Sequence, residues 1–251
     1  MAEHRFNTPD PVDLVVKVPA GDIEVETVDS GESVVTLEGG DRVLEQTTVE
    51  LQGRKLVVEY HGRKHGIVVS IGDLTWGSNK LRVRVTLPHG SSATLANAAA
   101  DMDLRGRFAS LDTKTASGDL VLRGDVEGKA DLKTVSGDVH VDNIGGDLDV
   151  KSVSGDTWAA SVGGSLSVKS VSGDVRVESV RAGTVTVQSV SGDIEVGIAP
   201  GANLDVDAGS VSGDLASEVP LGSEPAAVGD GPTVVVRGRT VSGDFKVFRA
   251  A

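Results

Sequence analysis

Between about residues 120 and 200, apolar residues come in alternating pairs separated by glycine-containing turns. Leu148 and Val150, Leu166 and Val168, Val175 and Val177, and Ile194 and Val196 each enclose one polar residue. Period two marks a strand with one buried face, whereas a helix would need spacings of three and four. After the first three pairs the phase slips: Val153, Val171 and Val180 each follow three residues behind the pair. The slip predicts a bend just before these valines, near Ser152 in the first case. Each half-unit then gives the core two strand residues and one corner residue.

The turns themselves repeat. Ser-Gly-Asp occurs seven times, with its glycine at 118, 137, 155, 173, 192, 213 and 243. The spacings are 19, 18, 18, 19, 21 and 30 residues. Gly145-Gly146-Asp147 and Gly163-Gly164-Ser165 form half-repeats, so residues 145–180 divide into four nines: GGDLDVKSV, SGDTWAASV, GGSLSVKSV and SGDVRVESV. Self-similarity at this period predicts an all-β, single-stranded parallel β-solenoid with coils of about 18–19 residues, each burying itself against its neighbours. Right-handed winding is the default from crossover chirality. Residues 91–251 form the regular solenoid, and residues 1–90 an irregular N-terminal set of β coils or cap continuous with it. The alanine-rich runs at 95–100 and 107–109 fit small core positions of coils better than a helix.

The chemistry of the turn is mostly structural. Glycine permits positive φ where a side chain would collide. The following aspartate can accept from turn N–H groups left unpaired by the bend, and the preceding serine can bridge to the next coil. The structural turn residues are therefore Gly118 and Asp119, Gly137 and Asp138, Gly155 and Asp156, and Gly173 and Asp174. The set continues with Gly192 and Asp193, Gly213 and Asp214, and Gly243 and Asp244. Stacked coils lie about 4.8 Å apart, so these carboxylates form a column that repels itself by roughly 1–3 kcal/mol per neighbour. Backbone N–H groups, or the column Lys114, Lys133, Lys151 and Lys169, can offset this. A calcium ladder is the functional alternative, but the intervening turns offer Ser165 and Thr184 where a ligand set needs carboxylates, so calcium is not expected.

Composition narrows the function classes. A net charge of −13 repels nucleic acid and anionic membrane surfaces. There is no cysteine, so disulfides, thiolate metal sites and cysteine nucleophiles are excluded. No basic-then-apolar leader and no span of roughly 20 apolar residues is found, which predicts a cytoplasmic chain. Phosphate-loop, zinc-protease and serine-elbow motifs are lacking, and His61 and His65 sit among cations in a turn. No cofactor, metal or catalytic residue is nominated. Two tryptophans are the candidate partner contacts: Trp158, outward-facing on a strand, and Trp76, in a loop beside Gly77-Ser78-Asn79. The clearest break in the repeat, 215–239, holds Pro220, Pro225 and Pro232 and reads as an inserted, projecting loop. Phe245, Val247 and Phe248 are expected to plug the C-terminal end of the core, and Pro9 and Pro11 to blunt the N-terminal edge.

The repeat K-[ST]-[VA]-S-G-D-[VIL]-x-V, together with Val16-Lys17-Val18-Pro19-Ala20-Gly21-Asp22-Ile23-Glu24-Val25, resembles a bacterial β-strand-repeat family of unknown function often called "putative adhesin". The resemblance spans nearly the whole chain and is strongest over 110–215 and 239–248. It implies a β-solenoid and supplies no catalytic residues. The expectation is a non-enzymatic, adhesin-like binding or scaffolding protein of unknown ligand, engaging a protein or itself through a solenoid face. The alternatives are a carbohydrate-active β-helix enzyme and a bactofilin-like self-assembling polymer.

Overall fold

The computed structural model describes residues 1–62, 81–218 and 231–250. Among these, all strands join one 20-stranded sheet, and the only helix is the single turn Asp41–Glu45. Most of the pairing is parallel. Val139 lies opposite Thr157, Thr157 opposite Val175, and Val175 opposite Ile194. On the next face Leu148 lies opposite Leu166, and Leu166 opposite Val185. Partners are thus 18 or 19 residues apart, which is the spacing of the turn motif. The alternating pairs fill one continuous core: Leu148, Val150, Leu166, Val168, Val175, Val177, Ile194 and Val196 are all buried. The alanine-rich stretch is a strand, Ser91–Lys114, with Ala93, Leu95 and Ala100 facing inward.

The corner next to Ser-Gly-Asp differs from expectation. Val153 and Val171 are about half exposed, at 47% and 49%, and so are Val135, Val190 and Val241. The alternation runs on unbroken through Ser152, so Ser152 points inward and Val153 outward. The bend comes two residues later, at Gly155, where φ is +115°. An inward serine would be costly unless paired. Its hydroxyl donates to the carbonyl of Ser154 at 3.1 Å, and Ser170, Ser189 and Thr240 repeat that bond to Ser172, Ser191 and Ser242. At the opposite corner the expectation holds, because Val162 and Val180 are fully buried.

The C-terminal end also differs. Thr233–Ser242 pairs on one side with Gly183–Gln188 and on the other with Asn203–Ser212. Phe245–Arg249 lies likewise between Ile194–Ile198 and Leu215–Ser217. Among the described residues the last coil in sequence is therefore the penultimate coil in space, and residues 203–217 form the end. Phe245 is not a plug over the core but an inner layer of it, 1% exposed. The physical reason is apolar content. Val234, Val236, Phe245 and Val247 are buried, while the end coil offers half-buried Leu204, Val206 and Ala208 beside Asp205 and Asp207. The coil with more apolar surface gains more by having two neighbours. The 30-residue spacing to Gly243 gives the chain enough length to come back.

The N-terminal end closes by a change of pairing. Asp13–Val28 pairs parallel with Ser91–Lys114 on one side, and with Lys55–Tyr60 and Leu81–Pro88 on the other. Beyond these, Thr47–Gln52, Glu32–Glu38 and Ala2–Asn7 add on antiparallel.

Candidate functional site

The Ser-Gly-Asp corner is the most repeated chemistry in the chain, and the structure shows what each residue does there. Glycine is required twice over at Gly155. Its φ of +115° is unfavourable for any L side chain, and a Cβ would collide with the carbonyl group of Gly137 in the coil before it. The serine bridges coils through its backbone: the N–H of Ser154 donates to Val135 and that of Ser172 to Val153, both at 2.9 Å.

The aspartates form a ladder. One carboxylate oxygen of Asp138 accepts the backbone N–H of Asp156 at 2.8 Å, Asp156 accepts that of Asp174, and Asp174 that of Asp193. The ladder then follows the spatial coil order, from Asp193 to Asp244 to Asp214. At its other end it runs through Asp119 to Asp101. Asp101 was missed in the sequence, although it lies 18 residues before Asp119; Ala99-Ala100 replaces Ser-Gly there and hides the motif. Each N–H donated to a carboxylate lowers the cost of stacking charges. Asp156→Ala should therefore destabilise the protein by about 1–2 kcal/mol, because the N–H of Asp174 loses its acceptor. Asp156→Asn keeps an acceptor oxygen and should stay within about 0.5 kcal/mol of wild type. Urea denaturation of both variants checks this, and equal losses would refute the ladder's role.

The lysine column serves a different set of carboxylates. Lys133 lies 2.7 Å from Asp131 and Lys151 3.1 Å from Asp149, with Lys114 3.7 Å from Asp112. Burial pushes the Asp131 carboxyl up, but the hydrogen bond and charge of Lys133, with Lys129 and Lys151, outweigh it and hold Asp131 below the usual range. The cations thus balance a neighbouring column, and the corner aspartates rely on backbone donors. Among the described residues no group of three or more histidine, aspartate or glutamate side chains could hold a metal ion.

Trp158 is built into a stack. It pairs in register with His140 and Arg176 on the adjoining coils. The His140 ring lies 4.0 Å from the indole at 13°, covering one of its faces. The indole N–H donates to Glu178 at 3.3 Å, and Arg176 bonds Glu178 and Glu195. The hydrogen bond from Arg176 holds the Glu178 carboxyl below its ordinary value, against the upward push of burial and with help from Trp158. A depressed carboxylate pKa stabilises the fold above the unfolded-state value, and that contribution disappears as pH falls through the folded-state value. With Trp76→Phe leaving Trp158 the sole indole, its emission should therefore change with a midpoint below about pH 4.3. Arg176→Ala should move that midpoint upward. A midpoint above about 4.3 in the Trp76→Phe protein would contradict the pairing.

Trp76 and residues 219–230 of the expected loop lie outside the described residues. The described parts of 215–239 are the strands Leu215–Ser217 and Thr233–Ser242. Beside them is a cavity of about 130 Å³ with an apolar lining that includes Val206, Leu215, Phe245 and Val247. A second hollow, about 100 Å³, is lined by the ion-paired side chains of Glu24, Arg84, Asp103 and Arg105.

Comparison with known proteins gives a family. The Toastrack DUF4097 family model matches residues 12–248. No curated protein matches the chain. A solved "putative adhesin" from Bacteroides fragilis NCTC 9343 is 11% identical, with 98% of this chain and 96% of that one covered and a TM-score of 0.42. A "putative adhesin" from Parabacteroides distasonis ATCC 8503 is 14% identical over 98% and 96% of the two chains, with a TM-score of 0.40. A "putative lipid binding protein" from the same organism is 11% identical over 100% and 96%, with a TM-score of 0.33. A match over residues 12–248, nearly the whole chain, shows that this protein belongs to the Toastrack DUF4097 family.

Proposed function

We propose that the chain is a non-enzymatic binding or scaffolding module that presents the outer columns of a right-handed solenoid of 18–19-residue coils to a partner. The observation that carries this reading is the use made of the repeated polar groups. The corner aspartates accept backbone N–H groups, and the neighbouring aspartates Asp131 and Asp149 pair with lysines. Such groups hold coils together and are already engaged before any substrate arrives. A glycosidase needs two carboxyl groups flanking a sugar and usually an open aromatic face. Trp158 has one face covered by His140, and the cavity beside 215–217 is lined by apolar residues apart from Ser217.

The test is a direct comparison of binding and turnover. The protein is titrated against a panel of oligosaccharides and peptides, with product release followed on the same samples. Saturable binding of a partner without product is expected. Turnover that disappears in a folded Asp156→Asn or Lys151→Met variant would overturn the reading.

A further inference from the structure

The outward valines at the Ser-Gly-Asp corner are not explained by the fold. Val135, Val153, Val171, Val190 and Val241 are each 47–51% exposed, and Val211, beside Val241 on the end coil, is 82% exposed. They stand in line, because the serines that follow them bridge in the order 136, 154, 172, 191, 242. At about 4.8 Å per coil the five span about 19 Å. An aligned apolar ridge of this kind on a chain of net charge −13 marks an interaction surface.

Its flanks indicate what fits. Two residues before each valine runs the column Lys133, Lys151, Lys169, Gln188 and Arg239, in mutual register. Three residues after each valine runs the exposed column Asp138, Asp156, Asp174, Asp193 and Asp244. Only one oxygen of each of these carboxylates is taken by the ladder. The ridge therefore has anions along one side and, along the other, four cations and Gln188, with Lys133, Lys151 and Arg239 also paired to Asp131, Asp149 and Asp207 of their own chain. If two copies meet ridge to ridge about a two-fold axis parallel to the solenoid axis, each cation column faces the partner's aspartates. The repeat distances match because both strips are the same strip. A two-fold axis across the ridge would instead set lysines against lysines.

We propose that this corner is the contact of a parallel, side-by-side homodimer. The proposal rests on the binding-module reading and names the partner as a second copy of the chain. The contact is small. A strip about 19 Å long and about 15 Å wide covers about 300 Å² of each copy, well under the roughly 800 Å² per partner of stable complexes. The dimer is accordingly a reversible one, populated at high concentration. At 0.15 M salt, charge effects reach about 8 Å and are confined to the facing strips.

The test uses the full chain, which has no natural cysteine. Val135→Cys lies off the centre of the ridge. In the parallel arrangement it meets its own counterpart, and in the antiparallel one it meets the far end of the row, Val241 or Val211. Under mild oxidation Val135→Cys should form a disulfide dimer at least about tenfold faster than Glu127→Cys, an exposed position away from the valine ridge. Adding Val153→Ser and Val171→Ser should remove that advantage while circular dichroism and melting stay near wild type. Lys151→Glu with Lys169→Glu should reduce it as well. Equal cross-linking rates for positions 135 and 127 would overturn the proposal. So would faster pairing of Val135→Cys with Val241→Cys or Val211→Cys than with itself, or a rate untouched by the serine pair. A strictly monomeric chain in sedimentation at about 500 µM would also overturn it, and would leave the binding-module reading to its own partner titration.

Discussion

Replacing Gly155 by alanine should lower stability by about 3 kcal/mol, one of the largest single-residue losses in the chain. Two costs add. The backbone is held at φ +115°, where an L side chain costs about 1–2 kcal/mol. The new Cβ would also run into the carbonyl of Gly137, with the carbonyl carbon at 2.8 Å. That neighbour is itself a corner of the ladder and cannot withdraw without moving the coil, so overpacking adds about 1–3 kcal/mol. For a chain of this size the melting temperature should fall by roughly 6–12 °C, at about 2–4 °C per kcal/mol. Gly201→Ala separates the two costs. Gly201 has φ +80° but nothing within 4 Å of a Cβ, so only the backbone cost of about 1 kcal/mol remains. Calorimetry on the two variants reads the difference. Equal shifts would mean that coil-to-coil contact contributes nothing at the corner.

The second large effect is expected at Phe245. Its ring packs over Gly238 in the same coil, where a Cβ would overlap it, and the residue is 1% exposed. Truncation to alanine should cost about 3–5 kcal/mol. Leu215, its register partner on the end coil, is 54% exposed, so Leu215→Ala should cost about 1 kcal/mol or less. Denaturant titration distinguishes this from a terminal-plug arrangement. A plug would leave 203–217 inside the stack and make Leu215 the more sensitive position.

The parallel coils could be read from the sequence because they rest on two local signals. The alternation of Leu148 with Val150 sets the strand, and the recurrence of Ser-Gly-Asp sets the stacking. The bend was harder to place. A phase slip between Val150 and Val153 shows that the chain turns, but not whether the turn lies before or after the valine. The turn sits at Gly155, and the inward place goes to Ser152, whose hydroxyl is satisfied locally. The phase slip therefore gave Val153 the wrong orientation and placed the bend too early. The inverted coil order was not legible from the repeat. Copies of one motif are interchangeable in pattern, and only the apolar content around Phe245 and the long spacing hint at which copy lies inside. Gly238, in the middle of a strand, was the available clue, since a strand glycine often marks a close approach. Trp158 was correctly read as outward, but its stacking on His140 depends on register, which places residues 18 apart side by side.

The stacking order is the claim on which these assignments depend, and amide hydrogen exchange tests it most directly. Among the described residues, Thr233–Ser242 and Phe245–Arg249 have hydrogen-bonded neighbours on both sides, whereas Asn203–Ser212 and Leu215–Ser217 each have a single partner strand. The amides of Val234, Val236 and Val247 should therefore exchange at least about tenfold more slowly than those of Leu204, Val206 and Leu215. Faster exchange in 233–249 than in 203–217 would contradict the account and return the C-terminal segment to the end of the stack.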